Sequence, residues 1–208
     1  MRIAVLANDV LREEMMAQGL ADDTDVEWLT EIPVSSAADT CIDLLFNDSE
    51  ERIDELKKTG CPLIIVNSLT LTLDQLPQHF IRINAWPTFL KRTIVEAACH
   101  HDTNKEKAEK IFAGFNKTVE WVPDIPGFIT ARVISMIINE AYFALEDEVC
   151  SKEETDIAMK LGTHYPLGPF EWSKKIGINN VYALLNKLSA DNKRYEPCAL
   201  LKQEALQQ

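Results

Sequence analysis

Glycine is scarce in this sequence, with only seven among 208 residues, about half of its usual share of roughly 7%. The first of them is Gly19, well beyond the first apolar segment, Ile3–Leu6. A phosphate-binding turn with the spacing G-x-G-x-x-G needs glycines directly after such a segment. That fingerprint is therefore excluded at the place where an α/β nucleotide-binding domain would carry it.

Long hydrophobic runs are absent as well, because no stretch approaches the 18 or more apolar residues of a membrane span. The run Ile3–Leu6 is followed at once by Asn8 and Asp9, so we expect neither a signal peptide nor membrane association. Positive charge is in deficit, with 21 lysines and arginines against 33 aspartates and glutamates and a net charge of −12. Such an acidic chain repels phosphate backbones, which argues against a nucleic-acid partner.

Paired cysteines and metal-ligand spacings are also missing. The cysteines are five in number and none forms a C-x-x-C pair: Cys41, Cys61, Cys99, Cys150 and Cys198. An odd, scattered set predicts reduced thiols in a cytoplasmic protein, each serving as buried filler. The four histidines show no zinc-ligand spacing, so no metal site is predicted.

The first part of the chain alternates apolar and polar stretches, which predicts an α/β domain over residues 1–122. Apolar residues make up 46% of the chain, enough for a core. Expected strands cover residues 2–6, 26–29, 43–46, 63–66, 80–83 and 118–122. Expected helices cover residues 11–20 and 50–58, and a third runs from a capping box at Thr103–Glu106 to about Phe115. Strands that alternate with helices indicate an open, mainly parallel sheet.

The second part, residues 123–208, predicts helices only. A turn-rich joint at Pro123–Gly127 precedes apolar residues at helical spacing from Ile134 to Leu145. Ser151 and Glu154 form a capping box, and Val181–Leu188 is helical again. This half is short for an independent core, so we expect one face to pack on a partner, such as a second copy.

Motifs in this half resemble a known family. Asp124–Ile129 reads D-I-P-G-F-I, Asp156–Gly162 reads D-I-A-M-K-L-G, and Tyr165–Glu171 reads Y-P-L-G-P-F-E. They are similar to the C-terminal domain of NAD-dependent 3-hydroxyacyl-CoA dehydrogenases. The resemblance implies a Rossmann-like α/β domain, here shortened, and then a helical dimerisation domain of the 6-phosphogluconate dehydrogenase-like type. It also implies oxidation of a 3-hydroxyacyl-CoA by NAD, with a histidine base oriented by a glutamate and with serine and asparagine binding the substrate oxygen.

The nucleotide-binding positions of that family are altered here. Its three loop glycines fall on Ala7, Asp9 and Arg12. A carboxylate at the middle position repels a pyrophosphate, and a side chain there blocks its approach. The acid that would hold the ribose falls on Thr30, beside Glu31. We therefore expect no conventional NAD binding.

The catalytic positions are altered too. Without a gap, the segment from Phe80 onward places Asn84 at the family's histidine and Glu96 at its glutamate. An amide cannot take a proton near neutral pH, so Asn84 is no general base. Glu96 then becomes a helix-edge carboxylate or a hydrogen-bond partner of Asn84. An alternative register makes His79 the base, but it needs an insertion of five residues before Glu96; otherwise His79 belongs to a surface loop.

The substrate-binding positions follow the same trend. The family's S-N-T-S-S-L resembles Val66–Leu71, where its contacting serine falls on Leu69 or, with a slip of one residue, on Thr70. Thr70 and Ser68 are therefore the candidate substrate-binding residues; alternatively, Asn67 and Ser68 are caps of a strand-end turn. The family's binding asparagine falls on Ala131.

Two functions follow from the sequence. The first is a non-catalytic, homodimeric binding or scaffold protein that retains contact with an acyl-CoA ligand or an enzyme partner. The alternative is a divergent NAD-dependent 3-hydroxyacyl-CoA dehydrogenase of fatty-acid or butanoate metabolism, with His79 as base.

Overall fold

The computed structural model describes residues 1–207, which form two compact units, one of residues 1–128 and one from Ile129 onward. The first unit contains a seven-stranded sheet in the order β2-β1-β3-β4-β5-β6-β7. Its strands are β1 (Arg2–Leu6), β2 (Asp25–Leu29), β3 (Thr40–Asp43), β4 (Ile64–Asn67), β5 (Phe80–Ile83), β6 (Ile94–Cys99) and β7 (Thr118–Trp121). All neighbouring strands are parallel except β5 and β6, which are antiparallel.

Apolar clusters cover both faces of this sheet, as expected for parallel strands made of β-branched runs. Ile65 belongs to one cluster with helices α1 (Asp9–Met15) and α3 (Asp102–Gly114). Ile64 belongs to the other, which includes residues of α2 (Glu50–Lys58). The alternation of neighbouring side chains between the two clusters follows the period of two of a strand.

Several sequence predictions in this unit are confirmed. Helix α2 has the predicted bounds, with Ser49 as its N-cap and with Gly60 at φ +75° after its last turn. Glycine adopts this left-handed conformation without strain, which is why the helix ends there. The predicted strand 80–83 is β5.

Other predictions here are wrong. The third strand covers residues 40–43 instead of 43–46, because the Asp43 carboxylate accepts the Leu45 N–H and turns the chain. Thr103 does not cap α3, since the helix begins at Asp102 with His101 at its N-cap. The predicted helix 11–20 is α1 followed by a 3-10 turn over Met16–Gln18. Strand β6 was not predicted.

The second unit is entirely helical, as predicted. It contains α4 (Thr130–Glu146), α5 (Lys152–Thr163), α6 (Pro169–Ile176), α7 (Ile178–Ser189) and α8 (Ala199–Ala205). The capping box at Ser151 and Glu154 is confirmed at the start of α5. Helices α6 and α8 were not predicted. An α/β sheet followed by helices confirms the fold class.

Candidate functional site

Asn84 and Glu96 meet across the antiparallel pair of β5 and β6. The pairing of Ile83 with Ala97 places Asn84 opposite Glu96, and the Asn84 N–H donates to the Glu96 carbonyl at 3.0 Å. The Asn84 Nδ2 also donates to Glu96 Oε2 at 3.1 Å, and both residues are buried. Glu96 is thus the hydrogen-bond partner of Asn84, and the interpretation as a helix-edge carboxylate is wrong because Glu96 lies inside β6.

The loop that joins Asn84 to Glu96 is held by two charged side chains. Thr88 lies there at φ +80°, a conformation that is strained for a β-branched residue. The Glu14 carboxylate of α1 accepts the Thr88 N–H at 2.7 and 2.8 Å. The buried Lys117 ammonium donates to the carbonyls of Leu90 at 2.6 Å and Arg92 at 2.8 Å. Burial lowers the pKa of Lys117 to about 8.

Ser68 and Thr70, the predicted substrate-binding residues, both donate to Asp48. The Ser68 hydroxyl donates to Asp48 Oδ1 at 2.5 Å, and the Thr70 hydroxyl donates to Asp48 Oδ2. Asp48 adopts φ +58° in the loop between β3 and α2. A hydroxyl has one proton, so neither group retains a donor for a substrate oxygen while Asp48 stays in place. Sequence reasoning missed Asp48, because no local pattern reports a contact made 20 residues away along the chain.

Arg82 connects this loop to the joint at Asp124. Its side chain is fully buried, and it donates through Nη1 to the Asp124 carboxylate and through Nε and Nη2 to the Ser68 carbonyl at 3.3 and 3.2 Å. The guanidinium also lies 4.7 Å from the centre of the Phe128 ring. Burial lowers the pKa of Arg82, and the charge of Asp124 opposes that effect. The first and last residues of D-I-P-G-F thus contact one buried cation.

His79 lies apart from these groups. It directly precedes the amino end of β5, whereas Asn84 directly follows the carboxyl end of the same strand. The two residues are therefore five steps apart along an extended chain, about 16 Å at the usual rise per residue. The imidazole is half-buried and packs edge-on against Phe80, and burial lowers its pKa, with a smaller effect from Lys57. The structure does not bring His79 together with Glu96.

The loop after β1 shows how the altered glycine positions are used. Asn8 caps α1 by accepting the Leu11 N–H at 2.9 Å, and Asp9 occupies the first turn of this seven-residue helix. The Arg12 guanidinium lies 5.2 Å from the centre of the Trp28 ring. Ala7 is buried, and its N–H donates to Leu29 at 3.0 Å. These residues do not fit a dinucleotide pyrophosphate, because the Asn8 side chain occupies the N-terminus of α1 and the Asp9 carboxylate lies beside it.

Thr30 and Glu31, which follow β2, line a separate cleft of about 440 Å³ together with Arg52 and Lys58 of α2. Arg52 is already paired with the buried Asp43 at 2.7 Å. Within residues 1–207, no three histidine, cysteine, aspartate or glutamate side chains are grouped as metal ligands. None of the helices in that range is both long and apolar enough to cross a membrane.

The two remaining motifs meet in the second unit. The Asp156 carboxylate of α5 accepts the N–H groups of Phe170 at 2.9 Å and Glu171 at 3.1 Å, so it caps α6. A side chain at Gly168 would overlap Asp156, which explains the glycine in Y-P-L-G-P-F-E. The spacing of both motifs therefore has a structural cause.

Comparison with known proteins supports the family resemblance of these motifs. The sequence profile described as "3-hydroxyacyl-CoA dehydrogenase, C-terminal domain" matches residues 127–207. This part of the chain is therefore similar to the C-terminal domain of the 3-hydroxyacyl-CoA dehydrogenases. Among the relatives, 3-hydroxyadipyl-CoA dehydrogenase of Escherichia coli is 40% identical over 116 residues, 55% of this chain and 24% of that protein.

Two further relatives extend the comparison toward the first unit. The 3-hydroxybutyryl-CoA dehydrogenase of Bradyrhizobium diazoefficiens is 33% identical over 66% of this chain and 48% of its own length. The crystal structure of (S)-3-hydroxybutyryl-CoA dehydrogenase from Ralstonia eutropha matches with a TM-score of 0.73 at 18% identity, over 97% of this chain and 92% of that chain. The latter likeness shows a shared fold. The chain matches from a quarter to about half of the two curated relatives' lengths.

The family resemblance predicts the binding asparagine at Ala131. This residue lies buried in the first turn of α4 and carries no polar group. The predicted catalytic positions, Asn84 and Glu96, are hydrogen-bonded to each other in the structure.

Proposed function

We propose that this chain is a 3-hydroxyacyl-CoA dehydrogenase-like protein that does not transfer hydride and acts as a homodimeric binding or scaffold protein. The observation that carries the proposal is the Asn84–Glu96 pair. The amide donates to Glu96 at 3.1 Å and its oxygen accepts the Trp86 N–H at 3.3 Å, so the pair is a structural hydrogen bond. An amide in this place orients the loop but takes no proton from a substrate hydroxyl.

The Asp48 carboxylate supports the same conclusion. It accepts the hydroxyl protons of Ser68 and Thr70, the residues that the family resemblance proposes for substrate binding. A developing oxyanion needs donors and is repelled by a carboxylate. The altered loop at Ala7, Asp9 and Arg12 supports the absence of NAD chemistry independently.

The binding role is inferred from what the chain retains. The helical unit keeps its motifs, and α4 together with its N-cap, Ile129, exposes an apolar stripe that includes Val133 and Phe143; these three residues are between 39% and 52% exposed. On α5, Ile157 and Leu161 are 54% and 76% exposed. These side chains fit an interface between two copies, since a monomer gains nothing by leaving such residues in water. An acyl-CoA is the ligand that the relatives' names suggest.

Activity is tested by the absorbance of NADH with acetoacetyl-CoA, and NAD binding by thermal shift at millimolar NAD. We expect no turnover and no rise in melting temperature, because a ligand that binds only the folded state would raise it. Turnover that His79→Ala abolishes and His101→Ala preserves would establish the divergent enzyme instead. A thermal shift with acetoacetyl-CoA alone, without NAD, is the expected sign of a retained acyl-CoA ligand.

The dimer is tested by light scattering. We expect a dimer for the wild type and dissociation for Val133→Asp or Leu161→Asp. Val34→Asp is the matched control, because Val34 is 95% exposed but belongs to the first unit. A wild-type monomer would contradict the dimer.

A further inference from the structure

Two of the five cysteines share one apolar cluster beneath the sheet. Cys41 of β3 is fully buried and Cys61, just after α2, is 4% exposed; both belong to the cluster that contains Leu56 and Ile64. The Cys41 N–H donates to the Leu63 carbonyl at 3.0 Å, which brings the chain that follows Cys61 alongside Cys41. Both thiols are reduced in this structure.

Cys61 has polar neighbours that Cys41 lacks. Its N–H donates to the Thr59 hydroxyl at 3.3 Å, and hydrogen bonds from Cys41, Thr59 and Ser36 lower the pKa of its thiol. The same contact with Cys61, together with burial, raises the pKa of Cys41. The contact between the two thiols thus lowers the pKa of Cys61 and raises the pKa of Cys41, so Cys61 is the more easily deprotonated of the two, as a reactive cysteine beside a resolving one requires.

Although Cys61 is buried, it lies between solvent-exposed residues in the sequence. Its two neighbours, Gly60 and Pro62, are exposed, and Gly60 ends α2. Opening of the last helical turn would be enough to admit a small oxidant, because helix ends fray at low cost.

We propose that Cys41 and Cys61 form a reversible disulfide when the protein meets hydrogen peroxide. The Cys61 thiolate attacks one peroxide oxygen and the O–O bond breaks, which forms a sulfenic acid on Cys61. The departing hydroxide takes up the proton that the Cys61 thiol had released and becomes water. The Cys41 sulfur then attacks the Cys61 sulfur, the S–O bond breaks, and the Cys41 proton leaves with the oxygen as water. The two thiols lose two electrons, peroxide is reduced to two waters, and an added dithiol restores both thiols.

The bond would close the segment from residue 41 to residue 61, which contains α2, the Asp43–Arg52 ion pair and Asp48. A cross-link of this kind restricts the unfolded chain more than the folded one. We expect the melting temperature of the oxidised protein to rise by about 5 °C.

The test is peptide mapping of the full wild-type chain by mass spectrometry, without reduction, after treatment with hydrogen peroxide. We expect a linked peptide pair containing Cys41 and Cys61, and a loss of two of the five titratable thiols under denaturing conditions. If solvent exposure alone decided which thiols are oxidised, Cys99 and Cys150 would react first, because they are less buried. Preferential oxidation of those two, or conversion of Cys61 to sulfinic acid without a link to Cys41, would overturn the proposal.

Variants test the consequence of the bond. Cys61→Ser and Cys41→Ser should each abolish the rise in melting temperature on oxidation, and Cys150→Ser should preserve it. An equal rise in Cys61→Ser would also overturn the proposal. The peptide map needs no variant, so it decides the question even if a substitution in the cluster prevents folding.

Discussion

Asn84 and Glu96 face each other across β5 and β6, joined by one backbone hydrogen bond of 3.0 Å and one side-chain hydrogen bond of 3.1 Å. The family resemblance predicts that these two positions are those of the catalytic histidine and glutamate. In this chain the contact is an amide–carboxylate hydrogen bond, and an amide takes no proton near neutral pH.

A histidine in place of Asn84 tests whether a contact with Glu96 is enough for dehydrogenase activity. In Asn84→His we expect the ring to pair with Glu96 and to titrate, by NMR, at a higher pH than a free histidine, since the carboxylate favours the charged form. The stability gained from this pair is present at low pH and is lost as the pH rises through the raised pKa. NADH turnover should stay absent, because Asp48 and the loop after β1 are unchanged. Restored turnover would show that Asn84 alone had removed the activity.

The ion-pair cluster at Arg82 should be costly to break on one side only. Arg82→Met leaves Asp124 and the Ser68 carbonyl without their buried partner, so we expect a loss of roughly 3–5 kcal/mol in the free energy of unfolding by urea. The double variant Arg82→Met with Asp124→Leu should recover part of that loss. Arg2→Met is the control, because the exposed Arg2–Asp25 pair at 3.5 Å contributes little. A similar small effect for Arg82→Met would contradict the assignment.

The Glu14 carboxylate holds the strained backbone of Thr88. Glu14→Gln keeps the shape but removes the charge that strengthens both contacts with the Thr88 N–H, and we expect a loss of about 1–2 kcal/mol. The neighbouring Glu13 is exposed, so Glu13→Gln should change stability by less than about 0.5 kcal/mol. Equal effects of the two substitutions in urea unfolding would argue against a role for Glu14 in the loop.

Lys117 should give stability a specific pH dependence. Burial lowers its pKa from 10.5 to about 8 in the folded chain. Between these two values the unfolded chain binds more protons than the folded one, so this residue makes stability rise with pH, by at most about 1.4 kcal/mol per pH unit. Urea unfolding of Lys117→Met at pH 7.5 and 9.5 should lack this contribution when compared with the wild type. Parallel pH profiles for the two proteins would contradict it.

The sequence was sufficient to predict those helices and strands whose bounds are set by local periodicity and capping residues. Helix α2 and strand β5 were predicted with their observed bounds, because a capping serine, a terminal glycine and an apolar run mark them. Strand β6 was missed because it contains Glu96. A carboxylate inside a strand is buried only when a partner such as Asn84 forms a hydrogen bond with it. Helix α6 was missed because it is eight residues long and its cap, Asp156, comes from another helix.

For the candidate site, sequence reasoning proposed positions but not the contacts that are made there. Family motifs placed Asn84, Glu96 and Thr70, whereas Asp48 and Arg82 reach the same region from loops and strands distant along the chain. Such contacts depend on tertiary packing and leave no periodic signal in a single sequence.

The strand order of the first unit affects which ligands it can bind. In the order β2-β1-β3, β2 lies on one side of β1 and all later strands of the described sheet lie on the other. Open α/β sheets hold ligands in the crevice that such a switch point creates at the carboxyl ends of the strands. Here the loop after β1 brings Asp9 to that edge and the loop after β3 brings Asp48. Two carboxylates therefore lie where dinucleotide-binding folds receive a pyrophosphate, and their charge disfavours a dinucleotide at that edge.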